Sequence, residues 1–308
     1  MRRTLLRRLT LLWVILTIIL SMSVWLAPTI PSRGTVFLMH NQFLNQQERF
    51  ELVDLSRNIA HEFTPAITED ARYASLAPDN RRMVTIHIDE GIFTLRLQQL
   101  DGTALLTPMQ TTPPEQMRLG SWSQDGRYLI YYIVQLDGNS NTHIWDTHTG
   151  ESTRIEANIA RIVAASLSPN NTQIAFSGVS DAGLLQVWAG DWQTQSYRLI
   201  TDPDATSDHY CPAWSPDSTQ IAYWASLDYG SEQLMVTNAD GTGEASLLSE
   251  YVWRITTCPQ WSADGKRVVF VNLPSFSREA EVIIVDLVSD EYAWVLRVEE
   301  TTRIRWVR

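Results

Sequence analysis

One motif returns along this chain at a nearly constant interval, and a unit repeating at a fixed period is a structural module that stacks on its neighbours. The clearest copy is Cys211-Pro212-Ala213-Trp214-Ser215-Pro216-Asp217-Ser218, followed by Ile221-Ala222-Tyr223-Trp224. It reads as a short strand, a Pro-Asp turn and a second strand of β-branched and aromatic residues. It recurs at Pro259-Gln260-Trp261-Ser262-Ala263-Asp264-Gly265 and at Ser121-Trp122-Ser123-Gln124-Asp125-Gly126. Weaker copies are Ser166-Leu167-Ser168-Pro169-Asn170 and Ser75-Leu76-Ala77-Pro78-Asp79-Asn80. The markers Leu76, Trp122, Leu167, Trp214 and Trp261 are separated by 46, 45, 47 and 47 residues, and a further step of 45 reaches Trp306. A sixth copy therefore supplies only its first strand. At the other end Gly34 to Met39 reads as a second strand without a first, with Phe37 in the place of Ile221. The missing strand and the surplus one complete each other.

Between markers the punctuation is constant. Third strands are expected at Phe50–Asp54, Thr142–Asp146, Leu184–Trp188, Gln233–Thr237 and Val282–Asp286, with a short fourth strand before the next marker. Runs of this length, with turn clusters every eight to twelve residues or so, signal an all-β chain. Four antiparallel strands per unit of about 46 residues is the period of a propeller blade. The expected fold is a six-bladed β-propeller, closed by pairing Ile304–Val307 with Thr35–Met39.

These residues carry a resemblance. Trp214-Ser215-Pro216-Asp217 with Ile221-Ala222-Tyr223, then Leu234-Met235-Val236-Thr237-Asn238-Ala239-Asp240-Gly241, resembles the repeat of TolB-type β-propellers, which are related in shape to WD-repeat proteins. The resemblance covers roughly residues 34–308 and is strongest in the copies at Trp122, Trp214 and Trp261. It implies an exported, six-bladed docking platform. TolB itself has an additional amino-terminal globular domain, and this chain carries an apolar segment there instead, so the resemblance implies no place in the Tol–Pal system.

That segment sets the expected domain division, residues 1–31 and 32–308. Arg2, Arg3, Arg7 and Arg8 precede an uncharged run from Leu9 to Ala27. Nineteen helical residues span about 28 Å, close to the hydrocarbon thickness of a bilayer. The arginine cluster places the amino terminus in the cytoplasm and the body outside. The alternative is a cleaved signal peptide ending near Ser21 and Ser23, which would leave the body secreted or periplasmic. Beyond residue 31 the chain has 20 basic and 35 acidic residues, Lys266 being its one lysine. Such a body repels phosphate backbones and excludes nucleic acid as a partner class.

Few constellations suggest chemistry. Cys211 and Cys258 each stand three residues before a marker Trp. They therefore occupy equivalent places in adjacent units, where either a disulfide or two buried thiols fits. His209 beside them permits a His/Cys/Cys metal set but lacks a fourth ligand. Asp137-Gly138-Asn139-Ser140-Asn141 alternates oxygen ligands like a calcium loop, yet Thr142 and His148 stand where Gly and Glu belong, so a hairpin loop is expected. Asp202, Asp204 and Asp208 invite the same comparison and the same discount. The recurring Asp79, Asp125, Asp217 and Asp264 are expected to accept turn N–H groups and not to act as catalytic acids. Trp122, Trp214, Trp261 and Trp306 are expected to pack between blades. Trp192, Trp224, Trp253 and Trp294 lie off the repeat pattern and are the candidate surface contacts.

No nucleophile elbow, zinc-protease or phosphate-loop motif is present. The sequence therefore points to no catalytic, cofactor-binding or metal-binding residue and to a non-enzyme: a monomeric, membrane-anchored scaffold for a protein or peptide partner. The alternative is an enzyme or saccharide sensor at the channel mouth, with Tyr73, Ala164, Cys211, Cys258 and Arg303 as the channel-facing residues.

Overall fold

Each repeat is built on one hydrogen-bonded turn. In the Trp214 copy, Asp217 Oδ1 accepts the N–H of Thr219 at 3.0 Å and the Ser215 hydroxyl at 2.6 Å, and Ser215 Oγ accepts the N–H of Gln220 at 2.9 Å. Asp125 with Ser123, and Asp264 with Ser262, repeat the arrangement. Asn170 with Ser168 does so with an amide in place of the carboxylate. Asp79 has Ala77 in place of the serine and accepts the N–H groups of Arg81 and Arg82. The turn forces one residue into left-handed backbone, always four after the marker: Asn80, Gly126, Asn171, Ser218 and Gly265 have φ between 55° and 71°. With the turn fixed, register follows. Leu76, Trp122, Leu167, Trp214 and Trp261 each pair with the residue seven further on: Met83, Leu129, Ile174, Ile221 and Val268.

The computed structural model describes residues 35–41, 48–54, 59–63, 71–113, 115–159, 161–227, 231–242, 246–247, 252–253, 255, 257–274, 279–289, 291–299 and 303–307, with side chains from residue 73 onward where stated. All regular elements among them are strands. The first sheet joins the chain ends. In it β1 (Thr35–Asn41), β2 (Glu48–Asp54) and β3 (Ile59–Phe63) follow the last strand, β25 (Arg303–Val307), in the order β25-β1-β2-β3.

The Leu76 sheet is β4 (Ala71–Leu76), β5 (Arg82–Asp89), β6 (Ile92–Gln99) and β7 (Ala104–Gln110). The Trp122 sheet is β8 (Gln116–Trp122), β9 (Tyr128–Val134), β10 (Ser140–Asp146) and β11 (Ser152–Arg154). In the Leu167 sheet β12 (Ile162–Leu167), β13 (Gln173–Val179), β14 (Leu185–Asp191) and β15 (Ser196–Leu199) follow. The Trp214 sheet holds β16 (His209–Trp214), β17 (Gln220–Ser226), β18 (Ser231–Asn238) and β19 (Ser246–Leu247), with β20 (Val252–Trp253) also on β18. The Trp261 sheet is β21 (Gln260–Trp261), β22 (Arg267–Asn272), β23 (Glu279–Asp286) and β24 (Glu291–Glu299). All these pairings are antiparallel.

Both faces of a sheet are apolar, so neighbouring sheets bury them against each other. Val84, Ile86, Leu95 and Leu97 meet Leu129, Tyr131 and Trp145. Ile130 and Ile144 meet Ile174 and Phe176, Ala175 and Val187 meet Ile221 and Tyr223, and Ala222 and Leu234 meet Val268 and Phe270. The marker indoles tie the stack together. Trp122 Nε1 donates to Ser75 Oγ at 3.1 Å, Trp214 Nε1 to the Ser166 carbonyl at 3.2 Å and Trp261 Nε1 to the Ala213 carbonyl at 2.9 Å. Each acceptor is the residue before the marker in the preceding sheet.

Three expectations change. Val36, not Phe37, pairs with Trp306, because the Thr35–Asp54 and Thr35–Val307 pairings fix β1 one residue earlier than the repeat count suggests. Trp192 and Trp224 are not surface contacts, being 6% and 0% exposed. The Trp192 ring lies edge-on to Tyr128 and its Nε1 donates to the Asn171 carbonyl at 2.9 Å. Trp224 lies edge-on to Phe270 and donates to the Thr257 carbonyl at 3.2 Å. A fully buried indole of this size needs a partner for its N–H, and both have one. The side chains of Trp253, Trp294 and Trp306, and the expected membrane segment, lie outside the described residues. Among the described residues no helix is long and apolar enough to cross a membrane.

Candidate functional site

The two ends of the sheets differ. At one end lie the turns between first and second strands and between third and fourth. Here Asp217 and Asp264 are held below the usual carboxylate range, first by the Ser215 and Ser262 hydroxyls. For Asp79 and Asp125 burial acts the other way and is outweighed by backbone N–H groups with Arg82, and by Ser123 with Asn171, respectively. Arg82 spans two sheets, pairing with Asp79 at 2.6 Å and donating to the Gly126 carbonyl at 2.9 Å. Asn171 Nδ2 donates to Asp125 at 2.7 Å, and Arg127–Asp146 and Arg267–Asp286 close at 2.7 and 3.3 Å. The recurring carboxylates are engaged as turn acceptors in ion pairs and hydrogen bonds, an arrangement that leaves them ionised.

The opposite end is open. Between the Trp122 and Leu167 sheets lies a cavity of about 470 Å³, within the usual range for ligand sites. Its apolar wall is Ile155, Ala157, Ile159 and Ile162, and its polar rim includes Asn139, Asn141, Glu156 and Arg161. Thr142 lines the floor; it is 2% exposed and its Oγ1 has no hydrogen-bond partner. Arg154 also borders the cavity but pairs with His143, one residue out of phase with Thr142, so its side chain leaves on the other side of the sheet. Its carbonyl accepts from Gln195 Nε2 at 3.1 Å. Arg161 reaches across the mouth to the Gly138 carbonyl at 3.3 Å.

Large apolar side chains are exposed at both ends, Leu105, Leu106 and Val288 beside third-to-fourth turns of the first, and four more at this one. Tyr73, Ile92, Leu136 and Val163 are exposed there on three consecutive sheets, Leu136 by 79%. The inner strands bulge close by, between Ala71 and Tyr73, Leu119 and Trp122, Ile162 and Ala164, and Tyr210 and Ala213. Such bulges re-aim side chains near the end of a strand. Around them the exposed acids are Asp89, Glu90, Asp137, Glu156, Asp181, Asp202 and Asp204.

Cys211 sits in the last of these bulges with φ of 60° and is disulfide-bonded to Cys258, the Cα atoms 5.0 Å apart. The bond ties the inner strand of the Trp214 sheet to the residues leading into the Trp261 sheet. With both sulfurs in the bridge, no thiolate is left for the His209/Cys211/Cys258 metal set. His209 is buried against Tyr223, its Nδ1 unpartnered, and burial lowers its pKa below the usual imidazole value. Asp137 accepts from the N–H and side-chain amide of Asn139 at 2.9 and 2.8 Å, closing the hairpin. Asp202 accepts the N–H of Asp204 and Asp208 that of Leu185. Among the described residues no three of His, Cys, Asp and Glu gather as metal ligands would.

Sequence reasoning missed two features. Tyr210 donates its hydroxyl to Glu232, whose other oxygen accepts the N–H of Ile255 at 2.8 Å. The cavity was also missed. No motif marks either, since both arise from the meeting of segments far apart in sequence.

No family model matches the chain. Solved structures similar to it include TolB from Acinetobacter baumannii, 15% identical over 90% of this chain and 67% of that one, with a TM-score of 0.66. An oligogalacturonate lyase from Vibrio parahaemolyticus is 12% identical over 85% and 74%, with a TM-score of 0.60. A chain of a nidogen/laminin complex is 13% identical over 89% and 99%, with a TM-score of 0.58. At these identities the likeness is one of fold: the chain is a TolB-like β-propeller.

Proposed function

We propose that this chain is a closed, six-bladed propeller, exported and held to a membrane by residues 1–31, and that it serves as a monomeric scaffold for a protein or peptide partner, not as an enzyme. The observation that carries the reading is the contrast between the two ends. At one the recurring acids are engaged by turn bonds and ion pairs, with Leu105, Leu106 and Val288 exposed near them, while the other leaves Tyr73, Ile92, Leu136 and Val163 in solvent beside a cavity. Exposed apolar groups on one face mark interaction surfaces.

Three further features support the proposal. The described strands form six sheets at one repeat period, and β25 pairs with β1. The Cys211–Cys258 bridge suits an oxidising compartment. The arginine-flanked apolar run at the amino terminus suits an uncleaved anchor. The second reading, a saccharide-processing or saccharide-sensing channel mouth, rests on likeness to the lyase alone, and fold does not carry activity.

Crosslinking in intact cells, followed by mass spectrometry, tests the scaffold reading. A partner joined through open-end residues is the expected result. An ectodomain that joins to nothing in cells and retains nothing from envelope extracts refutes it. Resistance to alkaline extraction, with Met1-proximal peptides still attached, tests the anchor.

A further inference from the structure

We infer that the open end of the Leu76, Trp122 and Leu167 sheets docks a basic amphipathic peptide segment, with Lys or Arg side chains on the acidic rim and an apolar side chain in the cavity above Thr142. The inference rests on the scaffold reading and gives the partner a chemistry.

Three observations converge on it. The first is charge. In the described second-to-third and fourth-to-first connections of these sheets Arg161 is the one basic residue, with Arg118 and Arg154 exposed on the adjoining strands, whereas Asp89, Glu90, Asp137, Glu156, Asp181, Asp202 and Asp204 are all exposed there or at the adjoining strand end. At the other end Asp79, Asp146 and Asp286 have Arg82, Arg127 and Arg267 beside them, while Asp101, Asp191 and Asp217 are held by hydrogen bonds of their own turns. A rim with this excess of acids selects cationic partners and speeds their approach.

The second is the apolar anchor. Leu136 projects from the β9–β10 loop next to the cavity, and Ile155, Ile159 and Ile162 line the wall behind it. Binding energy concentrates where an apolar side chain fills such a desolvated recess. The third is the Thr142 hydroxyl. A buried donor without a partner is costly; Thr142 is among the residues lining the cavity, and a small shift of that lining would let an incoming backbone carbonyl complete its enclosed Oγ1. The excess of acids around the cavity disfavours an acidic or phosphorylated segment.

The test uses the full chain in a non-ionic detergent and a short fluorescein-labelled Lys/Leu/Ser peptide, read by anisotropy against a detergent blank. Exchanging Lys for Glu in the probe, or Leu for Ser, is expected to weaken binding by about tenfold or more, with added salt weakening the Lys form. Leu136→Asp is expected to cost about tenfold, while Val288→Asp, equally exposed on the other end, stays within about twofold. Leu136 and Val288 are 79% and 77% exposed, so neither change threatens the core. Equal binding of the Lys and Glu probes overturns the inference, as does equal loss in the two variants. So does the absence of any binding tighter than about 1 mM. A cellular partner that crosslinks to the Leu136→Asp chain as well as to the wild type leaves the scaffold reading standing and removes this surface from it.

Discussion

Trp306 lies opposite Val36 in the sheet that joins the two chain ends, in the relation that Trp214 has to Ile221 and Trp261 to Val268. Deleting residues 303–308 removes β25 and turns β1 into an unpaired edge. The truncated chain should melt at lower temperature, over a broader range, and be cleaved faster by protease near residues 35–63. A melt as sharp and as high as that of the intact chain would show that the pairing contributes nothing.

Ser218 occupies, at φ 63°, a place taken elsewhere by Asn80, Gly126, Asn171 and Gly265. Left-handed backbone costs a residue with a Cβ about 1–2 kcal/mol, while glycine loses part of that advantage to its unfolded-state entropy. Ser218→Gly should therefore stabilise by about 0.5–1 kcal/mol. Urea unfolding should show this as a higher midpoint at unchanged slope.

The Cys211–Cys258 bridge closes a loop across 47 residues of sequence. Chain-entropy reasoning assigns such a cross-link about 4 kcal/mol, and measured values often fall nearer 2. Replacing both cysteines by serine should lower the unfolding free energy by about 2–4 kcal/mol. A change below about 1 kcal/mol would mean the blades are held by their packing alone.

Thr142→Val exchanges a buried, unpartnered hydroxyl for a methyl of similar shape. It should stabilise the fold by about 1 kcal/mol and weaken the Lys/Leu/Ser probe severalfold. A destabilised variant would point to a partner for Oγ1.

His209 and His143 are both held below the usual imidazole value by burial, with Arg154 adding to the effect at His143. The folded chain thus resists protonation that the unfolded chain accepts near pH 6.5. Their contribution is fully present above that pH and is lost as pH falls from there toward the folded values. The melting temperature should drop between about pH 7.5 and 5.5, and less so in a His209→Gln variant. The turn aspartates act in a separate window: with lowered values, Asp217 and Asp264 stabilise above about pH 4 and lose that effect as pH falls further.

Much of this was legible in the chain itself. The marker spacing located the sheets, and the Ser-x-Asp pattern located the turns, because both depend on contacts within a few residues. The pairing of the two ends was legible too, but only to within one residue, since Val36 and not Phe37 meets Trp306. Counting from a missing strand carries no turn to fix the offset. Trp192 and Trp224 misled for a related reason. Trp224 follows Tyr223 and so faces the next sheet, where Phe270 and the Thr257 carbonyl receive it. Nothing near it in sequence announces those partners. The contrast between the sheet ends was illegible because the same acids serve in both, and only the positions of Arg82, Arg127 and Arg267 distinguish a neutralised one from a bare one.

The indoles of Trp122, Trp214 and Trp261 each find their acceptor in a sheet closer to the amino terminus. During synthesis, which presents a chain from that end, each of these three sheets therefore meets a template already in place. The sheet holding Val36 is assembled differently, because β25 follows every other described strand. Until β25 has emerged, β1 has only β2 beside it and keeps one raw side to shield from its neighbours.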